Sequence, residues 1–410
     1  MRRTVRVAAT AVLTAIVVGC GGNGPDRDTF SIRDSAGVTI VVNTGDPGSW
    51  TEWHISSAPE LILGASDDDP ENALYRVVGA LRLSDGRVAV GNAGSFEVRY
   101  FAPDGRFLYA AGQEGAGPGE FSNIEWITLL SADSVVAYDS RQQRLTVLDP
   151  AGKYVRSMPI RATDEVLVPV VVGLFGDGSA LIRNPHPPPE QTGVYRIDFR
   201  LYRYEAGVSS PHPLGVFAGD DRYFRLIEGA LSVYGVPFAR SYVLDVVDTI
   251  FYHGHNEHSE LRAYSPTGRL LRLIRWDAPP VEVTDEAVRQ FREAQLNRTQ
   301  NPDLRRRWEQ VLAGIPANRT MPKFGASYLL RGVAGLIHDE IGNLWVLQYA
   351  WRPGQATRWS VFDKRGVALA TVTLSPRHEP LQVGDEFMLL RFRDSLDVET
   401  VRLHKISKGG

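Results

Sequence analysis

The side chains best equipped for chemistry sit in a few polar stretches. His253-Gly254-His255-Asn256-Glu257-His258 puts three imidazoles within six residues. Neutral imidazole is a ligand for zinc and other borderline metals. Here a Gly separates the first two, no cysteine assists, and the expected setting is a turn. The pattern therefore fits a solvated loop better than a metal site, and His253, His255 and His258 would make it more positive below about pH 6.5. Arg141 and Arg352 are suited to clamping an anionic or glycan ligand, and Trp351 to stacking on a sugar ring. Asp139, Gln142 and Tyr349 fall in comparable turns, with ordinary exposed loop residues as the competing reading. Glu120, in the Gly-rich run Gly115–Phe121, suits hydrogen bonding to turn amides better than proton transfer. Asn184–Glu190, with Pro187-Pro188-Pro189, reads as a stiff polyproline spacer. A nucleophile elbow, a phosphate loop, a His-Glu-x-x-His pair and a dinucleotide fingerprint are all absent from the sequence.

Repetition supplies the scaffold for these residues. Five turns share one punctuation: Pro103-Asp104-Gly105, Pro150-Ala151-Gly152, Glu205-Ala206-Gly207, Pro266-Thr267-Gly268 and Lys364-Arg365-Gly366. Gly supplies the left-handed position of such a turn, and Pro just before it presets the backbone. An alternating strand precedes each turn and another follows it. Leu81–Phe121 is the clearest example, short strands separated by turns about ten residues apart. The units run over 74–112, 123–160, 166–218, 238–276 and 327–374. A sixth, Leu381–Ile406, offers three strands only. This repetition predicts an all-β fold, a six-bladed β-propeller of four-stranded antiparallel blades. Two N-terminal stretches, Val38–Asn43 and Trp53–Gly64, are candidates to complete the last blade, and closure would remove exposed sheet edges.

The largest departure from the repeat is an insertion over 277–326. Thr284 is suited to cap a helix with Asp285 and Glu286 in its first turn, and Asn301-Pro302 to start a second. Leu304, Trp308, Val311 and Leu312 form one predicted apolar stripe. The spacing predicts a helical hairpin near 284–313. Its place in the repeat puts it on the face that also carries the Gly115–Phe121 link and the middle turns of the blades. The alternative is that it lies on the outer rim over Trp276 or Phe324.

The chain begins with Arg2, Arg3 and Arg6, then an uncharged apolar run from Val7 to Val18. Such a run is too short to span a bilayer and reads as a secretory signal over 1–19. Val17-Val18-Gly19-Cys20 resembles the bacterial lipobox, which implies acylation of Cys20. Residues 20–29 then read as a polar, Gly-rich lipidated tether and 30–407 as the propeller. Gly21 after the cysteine leans towards the outer membrane. Cys20 is the only cysteine, so the folded part has no disulfide and no thiolate site. Net charge is −3, which gives no reason to expect nucleic acid as a partner.

The Gly-rich link Gly115–Phe121 after an aromatic-rich strand looks like the NHL-type repeat, and the whole chain resembles the bacterial six-bladed β-propeller lipoproteins. The resemblance implies an exported protein held on the envelope by lipid, with little chemistry attached. A strong anchor and scaffold without a catalytic signature favour a module that binds an envelope protein, a peptide or a glycan over an enzyme. No cofactor is predicted. The alternative is a lactonase-like propeller hydrolase or lyase, in which acids and amides such as Asn123, Glu125 and Asp245 would converge on a calcium or zinc ion in the central channel.

Overall fold

The computed structural model describes residues 29–64, 72–208, 210–227, 230–297, 299–325, 335–352 and 354–409. Six sequential antiparallel units are present. Blade one comprises Val77–Arg82, Val88–Asn92, Glu97–Phe101 and Phe107–Ala111; blade two runs from Ile124 to Pro159 in four strands. Blade three starts at Val170–Leu174 and has two long strands, Gly193–Tyr204 and His212–Ile227, extended by a fifth at Ala230–Gly235. Blade four spans Tyr242–Val247 to Leu270–Trp276, and blade five Leu336–His338 to Ala368–Leu374. Blade six has three strands of its own, His378–Val383, Phe387–Arg393 and Glu399–Ser407.

Period-two alternation explains how these sheets stack. In the first strand of blade four, Val243 and Val247 face blade five, while Leu244 and Val246 face blade three. Each junction between consecutive blades has its own apolar cluster, and the sixth joins Leu389, Val401 and Leu403 of blade six to Val77, Ala80, Val88 and Phe101 of blade one. Six sheets with six such contacts make a closed ring. Full burial of each Phe, Leu or Val in these clusters is worth about 1.5–3 kcal/mol.

The five punctuating glycines have φ between 76° and 94°, the left-handed region where a Cβ is strained. A second repeating device stands at the end of the second strand of four blades. Asn92, Asp139, Asn184 and Asn256 each accept a backbone amide from the segment leading into their own blade, from Tyr75, Ser122, Val168 and Ser241 respectively.

The N-terminal segment is a belt around the outside of three blades. Leu61–Leu63 pairs antiparallel with Glu399–Ser407 and is the missing fourth strand of blade six. Val38–Asn43 does not close the ring. It lies parallel on Leu270–Trp276 of blade four, with Phe30–Ser35 as a further edge strand. Between them Glu52–Ile55 touches both the outer strand of blade five and the end of the last strand.

Closure is also polar. Glu399 accepts from the Val77 amide at 2.6 Å, and Arg391 donates to the Val77 carbonyl. Arg391 pairs with Glu379, and Arg393 donates to Glu399 at 2.8 Å. Arg391 and Glu399 are only 6% and 5% exposed, so each is a buried charge that relies on its partner. Removing one member of such a group costs roughly 3–5 kcal/mol. Arg391→Ala is therefore expected to lose about that much in urea unfolding, and Glu399→Gln less than Glu399→Ala, because the amide oxygen still accepts from Val77. Equal and small losses for all three would contradict this role.

Candidate functional site

The helical insertion forms as its caps dictate. Thr284 accepts from the Ala287 amide ahead of α1 (Asp285–Leu296), and Asn301 accepts from the amides of Asp303 and Leu304 at the start of α2 (Pro302–Ala313). Leu296 and Leu312 pack with Val236 and Ile315 and against Tyr223 and Tyr234 of blade three's extension. Val288 packs with Phe238 and, together with Phe291, meets Tyr349 and Trp351. The insertion thus sits over links and middle turns of blades three to five, on the face expected from its place in the repeat. Trp276 and Phe324 are not under it; they are buried at the junction of blades four and five. The predicted stripe on α2 divides: Leu312 is buried, whereas Leu304 and Trp308 stay exposed.

This packing changes what Trp351 can do. Its ring meets Phe238 edge-on at 5.4 Å, and Arg352 stacks over it with the guanidinium carbon 5.2 Å from the ring centroid. Trp351 thus packs against the insertion, with Arg352 on its ring. Arg141 is exposed in a turn far along the ring; its amide and that of Gln142 are bound by Asp139. Asp139 is wholly consumed by backbone amides, and Gln142 bonds the Gly115 carbonyl and Ser122. Glu120 accepts from the Gln113 side chain at 2.9 Å and from the Gly117 amide at 2.7 Å, bonds that lower its pKa.

The histidines are not a loop cluster. His253 and His255 lie on the strand Ile250–His255 and are buried. Their Nε2 atoms bond separate carbonyls of blade three, Ala218 at 3.1 Å and Gly219 at 3.2 Å. With the carbonyl as acceptor, each Nε2 carries the proton. His253 is boxed by Phe199, Phe217 and Tyr242, and burial pushes its pKa down to about 4. His258 stands apart in the exposed turn. Among the described residues no three His, Cys, Asp or Glu side chains are grouped to hold a metal.

Around that turn lies a charged seam between blade three's extension and blade four. Arg196 binds Asp221 and Glu257, each at 3.0 Å. Arg240 reaches Thr320 with one nitrogen, while its other terminal nitrogen is buried without a partner among the described residues. Desolvation lowers the pKa of Arg240 and of Lys323, the latter with help from Arg240's charge. A shallow groove of about 420 Å³ opens beside the seam, lined by Val42, Glu257, His258, Arg275, Trp276 and Lys323 among others.

Asn123, Glu125 and Asp245 do not meet. Asn123 and Glu125 bond each other and Ser140 in blade two. Asp245 has no partner there; its Oδ2 accepts from Nδ1 of His338, 2.8 Å away on the first strand of blade five. Desolvation pulls the His338 pKa down, but the facing carboxylate outweighs it and the pKa ends raised. His338 had no sequence signature, since its partner lies 93 positions earlier.

No protein family profile matches the chain, and no curated protein matches it. Similar solved structures include a member of the DUF4221 family from Bacteroides vulgatus, 10% identical over 88% of this chain and 99% of that one, with a TM-score of 0.46. A virginiamycin B lyase from Staphylococcus aureus is 10% identical over 81% and 94%, with a TM-score of 0.37. A gluconolactonase from Xanthomonas campestris is 12% identical over 81% and 86%, with a TM-score of 0.39. At this distance a neighbour's activity does not transfer to this chain.

The buried His253 makes a pH-dependent contribution with a definite sign. Its folded pKa lies below the unfolded value, so the unfolded chain binds the proton more readily. Stability is whole above about pH 6.5 and falls as pH drops towards 4, by about 3 kcal/mol in all. Urea unfolding between pH 7.5 and 4.5 should lose part of its acid slope in His253→Gln. An unchanged slope would show that His253 is protonated without cost.

Proposed function

We propose that this chain is an exported, lipid-anchored, NHL-like β-propeller of the cell envelope that works as a binding module. Its elaborated face would meet an envelope protein, a peptide or a glycan. The observation that carries this reading is the uneven decoration of the ring. Blade three's 16-residue strand and the two capped helices build one joint ridge over blades three to five, while blade one keeps short turns. A ring does not need such a ridge for stability, and loops on a rigid scaffold are where proteins usually place recognition. The charged seam of Arg196, Asp221, Glu257, Arg240 and Lys323 gives that face polar groups that can trade partners with a ligand. The signal-like segment over 1–19 and Cys20 lie outside the described residues and support the anchor by resemblance alone. Among the described residues no helix is long and apolar enough to cross a membrane. The outer membrane is the proposed destination, on the strength of Gly21.

The second reading, a propeller hydrolase or lyase, is favoured by one feature. His338 and Asp245 pair on adjacent first strands, and a raised imidazole pKa suits a general acid near neutral pH. Measurements of binding and of metal content or turnover separate the readings. For a binding module, capture from solubilised envelopes recovers a partner, or a peptide or glycan raises the melting temperature, and Arg240→Ala weakens that effect. For an enzyme, the purified protein retains stoichiometric calcium or zinc and is destabilised by EDTA, or Asp245→Asn abolishes a turnover found with lactone substrates. A protein that captures nothing and shifts with no ligand contradicts the first reading.

A further inference from the structure

Two exposed apolar side chains stand where the chain enters the fold, and three more on the helical insertion. Phe30 is the first strand residue and is exposed, as is Ile32. Phe30 opposes Asn43, which opposes Trp276, so it lies two strand spacings, about 10 Å, from Trp276. Trp276 is the last residue before the insertion, and the Gly45 amide bonds Asp277 at the insertion's first residue. The start of the propeller and the start of the helical ridge are therefore neighbours on one edge. On the ridge, Val281 is 56% exposed, and Leu304 and Trp308 are 44% and 43% exposed one turn apart on α2. Arg305, Arg306 and Arg307 stand directly before Trp308, and only Arg306 has a carboxylate partner among the described residues.

On the reading that Cys20 carries lipid, nine residues, 21–29, separate the bilayer anchor from Phe30. Chain geometry limits that separation to roughly 30 Å. The edge holding Phe30 and Trp276 must then stay near the headgroups, with the ridge beside it. Trp, Leu and Val next to arginines have the chemistry of a helix that lies in the membrane interface, Trp at headgroup level and Arg towards anionic lipid. We infer that α2, through Leu304 and Trp308, rests on an anionic phospholipid surface and sets the orientation of the anchored propeller. This inference builds on the proposed anchor. It assigns the exposed face of α2 to lipid and leaves the charged seam for the ligand.

The test uses the lipidated full-length chain in vesicles of phosphatidylethanolamine and phosphatidylglycerol. Cys20 being acylated, a single new thiol can be labelled with an environment-sensitive fluorophore, at Leu304→Cys or at Lys153→Cys in the turn closing blade two's outer hairpin. Quenching by doxyl lipid should be roughly threefold or more stronger at position 304 than at 153. Equal quenching, or none at 304, overturns the inference. Mass spectrometry of Cys20 tests the anchor separately. The anchorless mature chain with Cys20→Ser, sedimented with the same vesicles, keeps the inference testable if the lipid is missing. Its bound fraction should fall several-fold in Trp308→Ser while circular dichroism shows the chain still folded. An anchorless chain that ignores the vesicles, or a Trp308→Ser variant that binds as well, counts against the inference. Capture of a protein on α2 without lipid quenching does the same.

Discussion

The structure depends on the main-chain N–H and C=O of Val77. Its amide is held by Glu399 and its carbonyl by Arg391, so the first strand of the first blade is fixed by charged side chains of the last. A ring of sheets has one joint that chain connectivity does not make, and this is it. The apolar cluster of Leu389, Val401, Leu403, Val77 and Ala80 supplies attraction without direction. Glu399 and Arg391 supply direction, because hydrogen bonds to both main-chain groups of one residue fix the register. Burying these charges is costly in isolation. Arg393 and Glu379 offset that cost by completing a four-member network.

The belt works on the same problem from outside. An open outer strand on blade six would expose unpaired amides and carbonyls, and Leu61–Leu63 covers it. Glu52–Ile55 ties blade five to blade six, and Val38–Asn43 adds to blade four. Half of the ring's circumference is thereby fastened by one segment. Blades three to five carry the long hairpin of blade three and the helical insertion. Those additions, rather than the ring, are what distinguishes one face of the molecule. His253 and His255 serve the same end, tying blade four to carbonyls of blade three under the ridge.

Most of the architecture was legible because it is written locally. A left-handed glycine after an alternating strand has one common use, and all five marked turns are where they were expected. The helices were legible from Thr284 and from Asn301-Pro302 for the same reason. What was misread is non-local. His253 and His255 looked like loop residues, yet their two-residue spacing also suits a strand, and only blade three's carbonyls decide between the two. Val38–Asn43 has ordinary strand composition, and nothing in it says that its partner lies more than 200 residues away. Glu399 and Arg391 carry no motif, since their target is a backbone group. The sequence does carry one further local signal: Asn92, Asp139, Asn184 and Asn256 recur at the end of the second strand. As amide acceptors they were never free to line a ligand pocket.

Native-state hydrogen exchange at Val77 is the most direct measure of closure. If the clamp is part of the global fold, the Val77 amide and those of Arg402 and Leu403 in the last strand exchange only through complete unfolding. Their exchange free energy then equals that of the buried second strand of blade one, Val88–Asn92. Exchange at Val77 several kcal/mol easier than in that strand would mean that the ring opens at this joint while the blades stay folded. That result would contradict the account.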